Sequence, residues 1–418
     1  MPVIYLDNNA TTAVAPEVVE AMLPYLEDQY FNPSSMYEAA RGPARAIAEA
    51  RATVARHLHC RPEEILFTSC ATESNNTAII GALRARPERR HVVTTQVEHP
   101  AVLEVCKFLV REGFDVDFLP VDGSGQLNVE AFVRALRPGQ TLLVSVMHAN
   151  NETGVLFPIA ELARITKETD PGILVHTDAT QTAGKLPLDL RGELRHVDLL
   201  SLSGHKLHAP KGVGALFLRR GAPVRPFLLG GHQESGRRGG TENVPYIVGL
   251  ARALELAEAT HAEDGERITA LRDRLEGELT RRIPYLEVNG AGAPRLDNTL
   301  NVAVHFVEGE GMLYQLSARG ICASSGSACT SGSLEPSHVL RAMGVPFTAV
   351  HGSLRFSLSR YTTAEEIEAV IEALPEIVAS LRRLSPYWDE GARAPRPEGE
   401  ALLRQAVEER RQRLAQQS

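Results

Sequence analysis

The sequence predicts an α/β protein: a mostly parallel sheet with helices on both faces, accompanied by a smaller α+β domain. Three observations carry this expectation. From Phe31 to Leu218 short apolar runs alternate with stretches of helical periodicity, the pattern of parallel strands joined by crossover helices. A chain of 418 residues is long enough for two domains, or one large domain with a smaller partner. Beyond His261 the alternation changes character, which places a domain boundary there.

Taken in order, Val3–Leu6 reads as a short strand, and Glu17–Tyr25 as a helix that Pro16 opens, since proline suits the first turn. Phe31–Tyr37 is a loop of turn formers, and alanine-rich Ala39–Leu58 is a helix by its spacing near 3.6. Strands are expected at Ile65–Thr68, His91–Gln96, Asp115–Val121, Thr141–Met147, Ile173–Thr177, Val197–Leu202 and Val213–Leu218. Helices are expected between them at Thr77–Leu83, Ala101–Arg111, Val129–Leu136 and Ile159–Thr169. Phe227–Thr241 is a polar loop dense in glycine and arginine, a candidate phosphate or subunit contact. Glu242–Arg282 is helical with a charged break near His261–Glu266. Strands then follow at Leu300–Val304, Ile321–Ala323 and Ser353–Leu358, with helices at Gly309–Ala318 and Thr363–Leu381. Asp389–Gly399 reads as a linker and Glu400–Gln416 as a tail helix. The expected division is residues 1–15 joining the small domain, 16–260 the large domain, 261–388 the small domain, and 389–418 the linker and tail.

Composition excludes several classes. Hydrophobic content of 43% and charge of 23% are ordinary for a globular protein with a large core. A formal charge of −8 argues against a nucleic-acid partner. No apolar run approaches the ~20 residues that span a bilayer, so no membrane partner is expected. The N-terminus lacks a basic region followed by an apolar block, so no signal peptide is expected. Cys60, Cys70, Cys106, Cys322 and Cys329 are odd in number and lack CxxC spacing, which suits reduced thiols in a cytoplasm.

The chain is organised around Ser201–Gly214, SLSGHKLHAPKGVG. Two apolar runs around it read as strand, tight turn, strand, with Lys206 at the tip. A desolvated amine with a lowered pKa is a good nucleophile toward aldehydes; a surface turn lysine is the bland alternative. Upstream, SCATESNN from Ser69 joins a strand to a helix, and such a helix start favours a phosphate. Plain capping by Thr72 or Ser74 would explain it equally. His99 ends a strand where α/β proteins place their ligands, as a ring-stacking group, an acid/base or a structural hydrogen bonder. Asn150 and Asn151 suit either a turn or a hydroxyl ligand. Asp178 ends a strand, with Gln181 three residues on; a buried carboxylate needs a partner, and a protonated ring nitrogen is one. Aspartate and lysine on successive strand ends, with a phosphate loop upstream, form the set a pyridoxal phosphate enzyme needs. Ser324–Ser333 has almost no bulky side chains and is expected to be mobile, with Cys329 delivered to something rather than packed. A disordered loop with an incidental cysteine is the alternative. Arg355, on a strand, suits a substrate carboxylate or a structural salt bridge.

These motifs together, YLDNNATT, FTSCATESNN, VEHPAV, MHANNETG, HTDATQTAGK, SGHKLHAPKG, GGTENV, SSGSACTSGSLEPSH and RFSLSRYTT, resemble the cysteine desulfurases of the NifS/IscS group, within the class V, fold-type I pyridoxal phosphate enzymes. The resemblance covers roughly residues 3–388, and GGHQE, LHAPKG and SPYW look closer to NifS. Ser235, where that pattern usually has arginine, and Ser203, where some members have cysteine, depart from it without touching the catalytic set. The resemblance implies a seven-stranded sheet in the large domain and pyridoxal 5′-phosphate held by Lys206 as a Schiff base. Asp178 would pair with the ring nitrogen, Gln181 with the ring hydroxyl, and His99 would stack and shuttle protons. Ala71, Thr72, Ser203 and His205 would hold the phosphate, with Thr241 reaching the phosphate of a neighbouring subunit in a homodimer. Asn151 and Arg355 would bind the carboxylate of L-cysteine, and Cys329 would accept its sulfur as a persulfide. An iron–sulfur scaffold protein would take that sulfur on, and the NifS-like details point to one serving nitrogenase. No resident metal is implied, although Cys329 could transiently ligate a nascent cluster.

Two rival readings remain. A class V aminotransferase or selenocysteine lyase would keep the cofactor and change the reaction. A non-catalytic metal-binding scaffold built on His205, His208 and the cysteines lacks four clustered ligands.

Overall fold

The computed structural model describes residues 3–325 and 336–417. The chain opens with β1 (Ile4–Tyr5), then α1 (Pro16–Glu27) and α2 (Arg41–His57), with Pro16 at the first turn of α1. The large sheet is built next, in the alternation the sequence suggests. Its elements are β2 (Ile65–Thr68), α3 (Ala71–Ala85), β3 (His91–Thr95), α4 (Pro100–Arg111), β4 (Asp115–Leu119), α5 (Val129–Ala135), β5 (Thr141–Ser145), α6 (Ile159–Thr169), β6 (Leu174–Asp178), β7 (Leu199–Ser203) and β8 (Gly214–Leu218).

These seven strands lie in the order β2-β8-β7-β6-β5-β3-β4. All neighbours are parallel except β8, which runs antiparallel to both β2 and β7. The strand ends of β6 and β7 are in register, with Asp178 opposite Ser201, so both deliver their following turns to the same edge. Successive side chains alternate between faces: Val93, Val144 and Val175 pack in one core and Val92, Leu143 and Leu174 in the other. Both faces are covered, and the strands read as continuous apolar runs for that reason.

A single long helix, α7 (Val244–Arg282), leaves this body. The sequence suggests a break near His261–Glu266; the helix instead runs through it. Buried Ile247, Leu250 and Leu254 before that stretch pack in the first core, and Ile268, Leu271 and Leu275 after it in another, all on one helical face. The intervening charges find partners, with Asp264 near Arg267 at 3.6 Å and Arg360 at 3.5 Å. No proline interrupts the segment, so propensity and packing both favour continuity.

The second core is α+β. β9 (Leu286–Val288) and β10 (Thr299–Val304) precede α8 (Gly309–Ala318) and β11 (Ile321–Cys322). After the residues not described come α9 (His338–Ala342) and α10 (Phe347–Val350), whose Val339, Leu340, Ala349 and Val350 pack back in the large-sheet core, then β12 (Ser353–Ser357) and α11 (Ala364–Arg382), the last opened by a capping box of Thr363 and Glu366. β12, β10 and β9 form an antiparallel sheet, while β1 pairs in parallel with β11. Leu6 packs in this core with Ile321, Phe356 and Leu374.

The stretch expected as a linker is partly folded: β13 (Trp388–Asp389) pairs with β14 (Ala394–Pro395), and α12 (Pro397–Gln417) follows. The cause is Trp388, 4% exposed, over which the Arg382 guanidinium stacks at 4.2 Å. No helix of the described residues is long and apolar enough to cross a membrane.

Candidate active site

At the C-terminal edge of the large sheet lies a cavity of about 280 Å³. Its amine comes from the β7–β8 hairpin. After Ser203 the chain makes one helical turn, Gly204–Lys206, and returns through Gly214, which sits opposite Ser203. A Cβ on Gly214 would lie 2.7 Å from the Leu202 carbonyl oxygen and 2.8 Å from the Cys70 carbonyl carbon. Glycine there lets the start of α3 settle directly against the hairpin. Ala71 and Thr72 thereby line the same cavity as Ser203 and His205.

Lys206 Nζ donates to the carbonyl oxygens of Asn9 at 2.6 Å and Ala10 at 2.7 Å. Asp178, 6% exposed, accepts from Asn75 Nδ2 at 2.7 Å and from the Thr180 N–H at 3.0 Å. Gln181 Nε2 donates to the same Asn9 carbonyl at 3.1 Å. His99 caps α4, its Nδ1 accepting the Ala101 N–H at 3.1 Å, so the proton of the neutral ring sits on Nε2. Burial holds the His99 pKa below its usual value. The same cause pushes His205 down to about 4, with Lys206 and Lys211 adding to it.

Arg355 is 2% exposed. Its Nη2 meets Asp7 Oδ1 at 2.6 Å and its Nη1 donates to the Asn151 carbonyl at 3.0 Å. One edge of the guanidinium is thus held, while Nε is buried without a hydrogen-bond partner among the described residues. Ser203 Oγ and Asn75 Oδ1 are orphaned in the same way. Unpaired buried polar atoms are costly, and here they gather around one cavity, which suits a polar ligand. The N-terminus of α3 adds to this, since Cys70 makes no side-chain cap to its first N–H groups.

Of the residues singled out from the sequence, Ala71, Thr72, His99, Asn151, Asp178, Gln181, Ser203, His205, Lys206 and Arg355 all line this cavity. Thr241, exposed ahead of α7, does not. Cys329 lies outside the described residues. The stretch expected to carry it is bounded by Ser324, paired with the Arg355 backbone at 3.1 and 2.6 Å, and by Ser337, whose Oγ meets Glu152 Oε2 at 2.5 Å. In the glycine- and arginine-rich loop, Arg238 pairs with Glu73 at 2.9 Å and Arg237 donates to backbone carbonyls of Glu63 and Ile65, so both serve this chain. Among the described residues no three His, Cys, Asp or Glu side chains gather as a metal site.

Sequence reasoning missed Asn9, Ala10, Asp7 and Asn75. The signal for Asn75 was the asparagine pair within SNN, one turn into α3. For Asp7, Asn9 and Ala10 it was a polar DNNA run straight after a strand, read only as a turn.

Residues 4–370 match the family model described as aminotransferase class-V. A cysteine desulfurase of Trichormus azollae is 56% identical over 393 residues, covering 94% of this chain and 97% of that one. The cysteine desulfurase NifS of Azotobacter vinelandii is 54% identical over 386 residues, covering 92% and 95%. Among solved structures, a NifS-like protein superposes with a TM-score of 0.84 at 39% identity, covering 91% of this chain and all (100%) of that one. SspA in complex with cysteine gives a TM-score of 0.74 at 36% identity, over 86% of this chain and 99% of its own. A chain so similar along nearly its whole length to enzymes of one kind belongs to the class-V aminotransferase family and, within it, to the cysteine desulfurases that include NifS.

Proposed function

We propose that the cavity binds pyridoxal 5′-phosphate and that the chain converts L-cysteine to L-alanine, placing the sulfur on Cys329. The observation that supports this best is the convergence of Lys206, Asp178, His99 and the start of α3 on one cavity of about 280 Å³. When bound, the cofactor supplies an electron-withdrawing ring that stabilises the carbanion at the substrate Cα.

This chain's residues do the rest. Lys206 Nζ would hold the cofactor covalently, and as an unprotonated amine it would serve as the base for the substrate Cα proton. Asp178, held in place by Asn75 and the Thr180 N–H, keeps the ring nitrogen protonated. Ser203 Oγ, His205 and the N–H groups of Ala71 and Thr72 bind the phosphate, and Gln181 the ring hydroxyl. His99 would pack against the ring and carry protons at Nε2. Asn151 and the free Nε of Arg355 bind the substrate carboxylate. The Cys329 thiolate attacks the substrate sulfur: an S–S bond forms as the Cβ–S bond breaks. The electron pair left on Cβ takes a proton, Cα regains the proton that Lys206 took, alanine leaves, and Cys329 carries a persulfide.

On this reading Thr241 reaches the phosphate of a neighbouring subunit in a homodimer, and the sulfur passes to an iron–sulfur scaffold in the cytoplasm. Nitrogenase supply is the narrower version. The large-sheet body and the α+β part joined by α7 serve as domains, 16–260 large and 261–388 small, with residues 1–15 in the latter. The test is a mass spectrum after brief exposure to cysteine, expected to show one added sulfur atom on the peptide bearing Cys329. Lys206→Ala should lose visible absorbance. Unchanged turnover in Cys329→Ala would favour an aminotransferase instead.

A further inference from the structure

Behind the candidate active site lies a second cavity, of about 70 Å³, and Lys206 lines both. Between them stands a hydrogen-bonded wall. Lys185, which lines only the second cavity, places its Nζ 3.4 Å from Gln181 Oε1. Gln181 Nε2 donates to the Asn9 carbonyl at 3.1 Å, and that carbonyl accepts from Lys206 Nζ at 2.6 Å. An ammonium can only donate and a carbonyl can only accept, so the two contacts agree on one orientation of the Gln181 amide.

We propose that Lys185 is a positioning residue for the chemistry at Lys206: from the second cavity it orients the Gln181 amide and places a positive charge near Lys206 Nζ, making that nitrogen release its proton more readily. The inference rests on the reading that Lys206 carries the cofactor. A like charge disfavours the protonated form of its neighbour, and the amine at 206 must be unprotonated to act as nucleophile or base.

Burial, with Lys206 and then Arg355 acting as like charges, brings the Lys185 amine down to about 7, so Lys185 carries its charge below that pH. Around the second cavity stand His208, His261, Arg360, Asp264 and Asp297. Asp264 lies within 3.5 Å of Arg360 and 3.6 Å of Arg267, so its charge is shared with cations other than Lys185.

The bland alternative is a local contact four residues apart that only braces the turn after β6. Wild type, Lys185→Gln and Lys185→Arg, each loaded with cofactor, separate the two by the pH dependence of visible absorbance, which reports the proton at Lys206 Nζ. The glutamine variant keeps a donor without the charge and is expected to raise the midpoint by about one pH unit. The arginine variant keeps a permanent charge and is expected to leave the midpoint at or below that of wild type. Thermal midpoints that fall in both variants without any absorbance shift overturn the proposal. A rise in the arginine variant does so on its own, even if the glutamine variant fails to fold. A wild type without a visible band would instead refute the reading of Lys206 itself.

Discussion

Asn75 Nδ2 donates to Asp178 Oδ2 at 2.7 Å, tying the first turns of α3 to the end of β6. Both residues are buried, so the carboxylate has exchanged water for a fixed donor. Asn75→Ala should leave the carboxylate under-solvated and cost about 1.5–3 kcal/mol in cofactor retention, roughly a 10–100-fold weaker binding. Cofactor release on dilution, followed by absorbance, checks this. Retention equal to wild type would mean the contact does not orient Asp178 for the cofactor.

Arg355 has Nη1 and Nη2 held by Asn151 and Asp7 and leaves Nε without a partner among the described residues. Lysine cannot reproduce the planar fork, so Arg355→Lys should raise the KM for cysteine, with kcat/KM falling by roughly 30-fold, or about 2 kcal/mol. Steady-state kinetics measures it, and a fall in kcat at constant KM would assign Arg355 to another step.

Stability should depend on pH through groups that burial holds neutral. Burial pushes Glu98 up to about 8, against hydrogen bonds from the Met147 N–H and Thr95 Oγ1 that pull it down. A carboxyl with a raised folded pKa binds its proton in the folded state while the unfolded chain has lost it. Its contribution is therefore full below about pH 4.3 and is lost as pH rises toward 8. Glu98→Gln should flatten that alkaline decline by a few kcal/mol in denaturant titrations at neutral and mildly alkaline pH.

The acid side has the opposite sign. His176 is 1% exposed, with Ser145 Oγ 2.8 Å from Nδ1 and Ser201 Oγ 3.0 Å from Nε2, and burial pushes it down to about 4. The unfolded chain binds this proton first, so stability should fall as pH drops from about 6.5 toward 4. His176→Gln should shift acid unfolding to lower pH; an unmoved midpoint would show that other groups govern it.

Trp388 packs against Tyr285 at 5.7 Å and Phe306 at 6.3 Å and carries Arg382 on its face. Trp388→Ala should cost about 3 kcal/mol or more and release β13, β14 and α12. Faster proteolysis within Pro397–Gln417 at unchanged kcat is the expected signature.

What the sequence determined by itself is local. Alternating apolar runs gave the strands, Pro16 and Thr363 marked helix starts, and SGHKLH, ATES and HTDATQ fell at strand ends, because chemistry there follows from a few neighbouring residues. The tertiary structure alone decided what lies far apart in sequence. Asn9 meets Lys206 across 197 positions and Asp7 meets Arg355 across 348, and a turn-like DNNA run carries no trace of either partner. It also decided that α7 is unbroken and that Trp388 folds the expected linker. Each depends on which buried surface the segment meets, and burial is a property of the assembled cores rather than of the residues read in order.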